Sequence, residues 1–188
     1  MKKTILWALV ILFSSSVCFA EDLTILFSGQ TFGMIYPCNC PLEPDGGVSR
    51  RATLVKKIRE ASKEALLVDT GDFFAGGKMD QYSQNAPLDM QRSIFHLKAM
   101  ELLGFDAVAI GENEFGFGEE FLAQSIAKSK IPFLSANIRG DKVLPYIEKD
   151  VEGIKVGIIG VTNPSAQNKS VNVEISDPKV AVAHAVSE

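Results

Sequence analysis

Short apolar runs alternate with amphipathic stretches along most of this chain, a pattern that predicts an α/β domain built from βα units. Residues 23–27 read as a first strand, 65–68 as a second, 106–110 as a third and 131–136 as a fourth. A helix opening at Gly47 carries Val48, Ala52, Val55 and Ile58 on one face, with Arg51, Lys56, Lys57 and Arg59 mostly off it. A second helix, from about Pro87 to Leu103, sets Met90, Ile94, Leu97 and Met100 at helical spacing, and Gly104 stops it. Glu119 and Glu120 suit the first turn of a third helix, where the dipole favours anions. Residues 146–151 and 154–160 form a hairpin pattern turning at Glu152-Gly153. Pro178 opens a last helical stretch that reaches Glu188 without a capping pattern. The expectation is a domain truncated on its C-terminal side, with a short fraying helix as the alternative.

The beginning of the chain has another character. Lys2 and Lys3 precede an apolar run over residues 5–13, Ser14–Ser16 break it, and small residues at Cys18 and Ala20 fit a cleavage site. Residues 1–20 therefore read as a secretory signal peptide, leaving residues 21–188 as one incomplete domain of a periplasmic or secreted protein. An uncleaved anchor would want about 20 apolar residues, and a lipid on Cys18 would want a smaller neighbour than Val17. No later apolar run suffices for a membrane span. The formal net charge of −4 comes with no basic patch and argues against a nucleic-acid partner.

In open α/β sheets, ligands bind outside the carboxyl ends of the strands. Gln30 and Phe32 follow the first strand, Asp72 the second, and Glu112 and Asn113 the third. A carboxylate just past a buried strand must be solvated, hydrogen-bonded or bound to a cation. Asp72 is thus the best single candidate, although spacing alone equally allows an Asp that caps its own loop. His96 lies away from the apolar face of its helix and reads as solvated. Arg50 and Arg51 read as surface cations, with reach to an anion at the site as the alternative, and nothing pairs His184 with the site.

These positions also carry a resemblance. Residues 26–33 (Leu-Phe-Ser-Gly-Gln-Thr-Phe-Gly) resemble the first motif of the 5′-nucleotidase branch of the calcineurin-like metallophosphoesterases. Gly46-Gly47-Val48-Ser49-Arg50-Arg51-Ala52 is similar to the start of that family's first helix. Val68-Asp69-Thr70-Gly71-Asp72 is similar to its second motif, and Gly111-Glu112-Asn113-Glu114-Phe115-Gly116 to its third. Residues 132–137 and 156–160 continue the series. The resemblance implies the front part of a four-layer αββα sandwich. It also implies departures: Gln30 and Phe32 stand where the family has a metal-binding aspartate and histidine. Glu112 and Asn113 stand where it has an asparagine ligand and a catalytic histidine, and Gly116 replaces a further aspartate. Asp72, at the place of the metal-bridging aspartate, is retained.

A two-metal hydrolase needs several anionic or imidazole ligands around cations about 3.5–4 Å apart. Phe32 cannot ligate, and Asn113 cannot act as a general acid at neutral pH. The oxygens of Gln30, Asp72, Glu112 and Asn113 are the candidate ligands for a single hard cation, Mn²⁺, Mg²⁺ or Ca²⁺, or a polar remnant that binds none. Cys38 and Cys40, flanked by Pro37 and Pro41, are expected near the mouth of the same site. A Cys-x-Cys pair forms only a small, strained and reducible ring, so it reads as a structural clip or as a redox pair. The same loop resembles that of exported 5′-nucleotidase-like proteins in which one such position can be selenocysteine. The expected function is a non-hydrolytic thiol-redox or metal- and ligand-binding module taking a small anionic or nucleotide-like ligand. The alternative is a divergent metal-dependent phosphoesterase completed by a partner that supplies a C-terminal half.

Overall fold

The computed structural model describes residues 22–38, 40–42, 45–76 and 85–188. The signal peptide expected over residues 1–20, with Cys18, and Asn39 between the two cysteines lie outside the described residues. Five strands, β1 (Ile25–Ser28), β2 (Leu66–Asp69), β3 (Ala107–Ala109), β4 (Phe133–Leu134) and β5 (Val143–Leu144), form one parallel sheet in the order β1-β2-β3-β4-β5. Helices α1 (Val48–Ala61), α2 (Ala86–Leu103) and α3 (Glu119–Lys128) make the first three crossovers. Sequential parallel strands joined by right-handed crossovers put all three helices on one face.

Register decides which side chains that face receives. Leu26 pairs with Leu67, Asp69 with Val108, and Val108 with Phe133, so these positions alternate together toward the helices. Leu67, Val108 and Phe133 join Val55, Phe73, Phe74, Leu97, Met100 and Phe121 in the core. The rings of Phe73 and Phe74 meet edge to face with centroids 5.0 Å apart. Burial of each such side chain contributes about 1.5–3 kcal/mol. The opposite face is less covered: Ile25 and Phe27 of β1 are 49% and 78% exposed.

Helix α2 starts and stops for local reasons. Asn85 caps it by accepting the N–H of Leu88, Pro87 sits in the first turn, and Gly104 ends it at φ 69°. Strands β6 (Tyr146–Val151) and β7 (Ile154–Ile159) make the expected antiparallel hairpin. Its turn residues Glu152 and Gly153 have φ of 52° and 91°, the double left-handed geometry of a tight hairpin turn. Lys149 Nζ lies 2.9 Å from Asp106 Oδ1 and ties the hairpin to the start of β3. After β7, Gly160 lies against Leu134, where a Cβ would come within 2.4 Å of the Leu134 carbonyl oxygen. A short 3-10 helix (Pro164–Lys169) and α4 (Pro178–Ser187) follow. Residues 107–109 and 133–134 form shorter strands than the apolar runs that contain them.

Candidate functional site at the strand ends

Past β1 and β2 the chain keeps its pairing without keeping strand geometry. Gln30 N donates to Gly71 O (2.9 Å), Phe32 N to Asp72 O (3.1 Å) and Gly33 N to Phe73 O (2.8 Å). Within this ladder Gln30, Phe32 and Asp72 take positive φ values of 52°, 45° and 57°. Left-handed backbone costs a non-glycine residue about 1–2 kcal/mol, so three such residues in two adjacent loops must be held by their surroundings. Arg92 supplies part of that hold: Nη2 donates to Phe32 O at 3.1 Å while Nη1 pairs with Asp89 Oδ1 at 3.0 Å.

The larger part comes from Glu114, which lies in a one-turn 3-10 helix (Asn113–Phe115) and is fully buried. Its Oε1 accepts the N–H groups of Phe73 (2.9 Å) and Phe74 (3.0 Å), and its Oε2 those of Asp72 (2.9 Å) and Gly111 (2.7 Å). Burial pushes this carboxyl up to about 7, with the amide donors acting in the other direction and the nearby Asp72 charge adding to the rise. Four main-chain donors on one side chain lock the loops after β2 and β3 together. Gly111 must be glycine there, because a Cβ would lie 2.5 Å from Asp72 Oδ1 and 2.6 Å from Asp72 N.

Of the four candidate oxygen donors, the structure joins Asp72 to Asn113 through the backbone: Asn113 N donates to Asp72 Oδ1 at 2.8 Å. Glu112 and Asn113 converge on Lys169, whose Nζ is 3.1 Å from Glu112 Oε1 and 3.4 Å from Asn113 Oδ1. Ser165 Oγ donates to Glu112 Oε2 at 3.0 Å. The Gln30 side chain is exposed. Among the described residues, no group of three or more His, Cys, Asp or Glu side chains is arranged to hold a metal ion. Beside Asn113 and Lys169 opens a cavity of about 520 Å³, walled by Gly76, Gly116, Gly118 and the ring of Phe117.

The expectation for His96 is corrected. It is completely buried, not solvated. Arg51 Nη1 lies 3.0 Å from His96 Nε2, and Thr31 Oγ1 is 3.4 Å from the same nitrogen. A guanidinium only donates, so Nε2 is the acceptor and the neutral ring carries its proton on Nδ1, which is buried with no partner among the described residues. Burial first, then the charges of Arg51 and Arg92, lower this imidazole to about 3. Arg51 is likewise partly buried beneath the loop, where desolvation lowers its affinity for its proton and Asp69 raises it. Asp69 is buried at the end of β2, where Ser28 Oγ and Gly71 N donate to it. Its burial pushes the carboxyl up, against the effect of those donors and of Arg51. Amphipathic spacing missed this group because polar partners bury it from a flank of α2.

Cys38 and Cys40 sit in the loop that folds back over the start of α1. Cys38 N donates to Asp45 O at 2.8 Å and Asp45 N to Cys38 Sγ at 3.1 Å. A Cβ on Gly47 would lie 2.7 Å from Pro37 N, so the helix starts in direct contact with the residue before Cys38. Cys38 is half-buried and Cys40 exposed.

No family model matches the chain. The chain is similar to the snake venom 5′-nucleotidase of Naja atra, with 36% identity over 145 residues that make up 70% of this chain and 26% of the relative. Its fold is similar to that of the 5′-nucleotidase precursor from Thermus thermophilus, with TM-score 0.75 and 29% identity over 88% of this chain and 34% of that one. It also superposes on the calcineurin-like phosphoesterase YfkN of Bacillus subtilis, with TM-score 0.68 and 24% identity over 88% of this chain and 57% of the other. The chain thus spans about a quarter of the curated relative. Among the described residues no helix is long and apolar enough to cross a membrane.

Proposed function

The chain belongs to the 5′-nucleotidase branch of the calcineurin-like metallophosphoesterases, and from that premise we propose that it is a non-hydrolytic member, a module that binds a nucleotide-like ligand at its strand ends. The observation that carries the reading is the engagement of Asp72, the one carboxylate retained from the family's ligand set. Its Oδ1 accepts Asn113 N–H, and the neighbouring Glu112 and Asn113 oxygens face the Lys169 ammonium. A hard divalent cation takes six or more oxygen ligands, and two cations must share several carboxylates or imidazoles. The donor set here does not fit that requirement: Phe32 offers no ligand, Gln30 and Asn113 offer one neutral oxygen each, and Glu112 is already paired. No hydrolytic step is therefore assigned to this site.

What remains is a recognition surface. The cavity beside Asn113 and Lys169 combines an amide, an ammonium, glycine-rich backbone and the Phe117 ring, groups suited to a ligand with both a ring and polar substituents. The similarity to 5′-nucleotidases supports a nucleotide-like choice. The test is calorimetric titration of the full chain with nucleoside 5′-monophosphates. Saturable heat in the absence of added metal supports the reading, and no binding at millimolar nucleotide contradicts it.

The leader over residues 1–20 supports export to the periplasm or beyond. In that compartment Cys38 and Cys40 would close to a disulfide by exchange with an external disulfide, which takes the two electrons and two protons and leaves as two thiols, and would reopen by exchange with an external dithiol. The exposure of Cys40 and the half-burial of Cys38, whose Sγ accepts the N–H of Asp45, support this second role because both sulfurs can be reached by an exchange partner. Alkylation and mass measurement across graded redox buffers test it, and cysteines that keep one oxidation state throughout end it.

A further inference from the structure

We propose that Lys169 is a tethered cation which, as part of this chain, takes the place of a divalent metal at the strand-end oxygens and shuts such metals out. The inference rests on the non-hydrolytic reading of the same site and adds the device by which the site excludes metal. Three observations carry it.

The first is position. Lys169 Nζ reaches Glu112 Oε1 and Asn113 Oδ1, the side chains that follow β3 at the carboxyl edge of the sheet. Asn113 in turn is bound through its N–H to Asp72. The ammonium therefore sits against two of the four oxygen donors that a hard cation would need, in direct sequence with a third.

The second is anchoring. An ordinary surface lysine is mobile and its ion pairs are weak. Lys169 closes a 3-10 helix whose Asn163 cap accepts Ser165 N–H and whose Ala166 is fully buried. The next residue, Ser170, donates its hydroxyl to Glu119 at 2.7 Å, and Glu119 also accepts the N–H groups of Val171 and Asn172. The backbone on both sides of Lys169 is thus fixed before its side chain reaches Glu112. Ser165, from the same turn, takes the second Glu112 oxygen, so this one short helix engages both oxygens of that carboxylate.

The third is charge. Glu112 and Lys169 form a neutral pair, and the remaining donors Gln30 and Asn113 are uncharged. A divalent cation entering here would meet the ammonium at contact distance, with Asp72 as its only other formal anion within the candidate set. Removing the ammonium takes the cation away from Glu112 Oε1 and Asn113 Oδ1, while Asp72 stays bound to the N–H of Asn113.

The experiment is calorimetric titration of the full chain with MnCl₂, comparing wild type with Lys169→Met, Lys169→Gln and the double variant Lys169→Met/Glu112→Gln. Unfolding curves for each show that it is folded before titration, and two different lysine replacements guard against one that is not. Lys169→Met and Lys169→Gln are expected to bind Mn²⁺ at least about tenfold more tightly than wild type, with the double variant returning to the wild-type value. Equal Mn²⁺ affinity in wild type and both single variants, whether measurable or absent, overturns the proposal. That result is separate from the fate of the functional reading, which is decided by nucleotide binding and phosphate release in wild type whatever the metal affinities are.

Discussion

Asp72 N donates to Glu114 Oε2 at 2.9 Å, and through this bond a residue of the loop after β3 sets the backbone of the loop after β2. The same carboxylate holds Phe73, Phe74 and Gly111, so the left-handed Asp72 is kept in place by a side chain 42 positions away. Glu114→Gln would substitute an amide whose nitrogen faces N–H donors that it cannot accept. Leaving buried donors unsatisfied costs about 1–3 kcal/mol each, and the amide nitrogen orphans two of them, so a loss of about 2–6 kcal/mol is expected in urea unfolding of the full chain at pH 5. A loss below about 0.5 kcal/mol would remove Glu114 from this role.

The Glu114 carboxyl, raised to about 7 by burial, gives a pH signature. A carboxyl whose folded value lies above its unfolded value of about 4.3 contributes stability that is fully present below the unfolded value. That contribution is lost as pH rises through about 7. Wild-type and Glu114→Gln unfolding free energies measured from pH 5 to 8 should therefore converge as the pH rises, and a constant difference would contradict the assignment.

His96 works in the opposite direction. Its folded value is lowered to about 3, so the stability it contributes is present above the unfolded value of about 6.5 and is lost as pH falls toward 3. At full effect the loss is of order 5 kcal/mol for so deeply buried a ring. His96→Gln keeps an acceptor for Arg51 and should flatten the unfolding free energy between pH 6.5 and 4. An unchanged acid slope in that variant would place the acid sensitivity elsewhere.

Glu119, first seen as a helix-dipole residue, clamps a loop. Ser170 Oγ, Asn172 N and Nδ2, and Val171 N all donate to it, and these bonds, with that of Ser170 foremost, lower its carboxyl to about 2. Its contribution is present above the unfolded value and lost as pH falls through about 2. Glu119→Ala should speed hydrogen exchange at Val171 and Asn172 at neutral pH by about tenfold or more, since both N–H groups bond to its Oε1. Unchanged exchange at both amides would show that the loop holds without it.

Much of this architecture is legible in the sequence because it rests on local signals. Gly104 after an amphipathic run ends α2, Glu152-Gly153 turns the hairpin, the apolar run 65–68 covers all of β2 but Asp69, and the run 106–110 contains β3. Strand β5 escapes because two residues, Val143 and Leu144, are too few to show a period, and they follow the polar stretch Arg139-Gly140-Asp141-Lys142. The site is legible only in its first ring. Asp72, Glu112 and Asn113 are visible as strand-end polar residues, whereas their partners come from far along the chain. Lys169 is 56 positions from Asn113, and Arg51 is 45 from His96. Glu114 offered one signal, a charged residue between the loop glycines and the core ring of Phe115. Read by burial cost, such a carboxylate demands donors, and the four amides are those donors.

The proposed loss of hydrolysis is tested by phosphate release from nucleoside 5′-monophosphates by the full chain in millimolar Mn²⁺, run beside Asp72→Ala. Release indistinguishable between wild type, Asp72→Ala and buffer is the expected result. Multiple-turnover release by wild type that Asp72→Ala abolishes would contradict it.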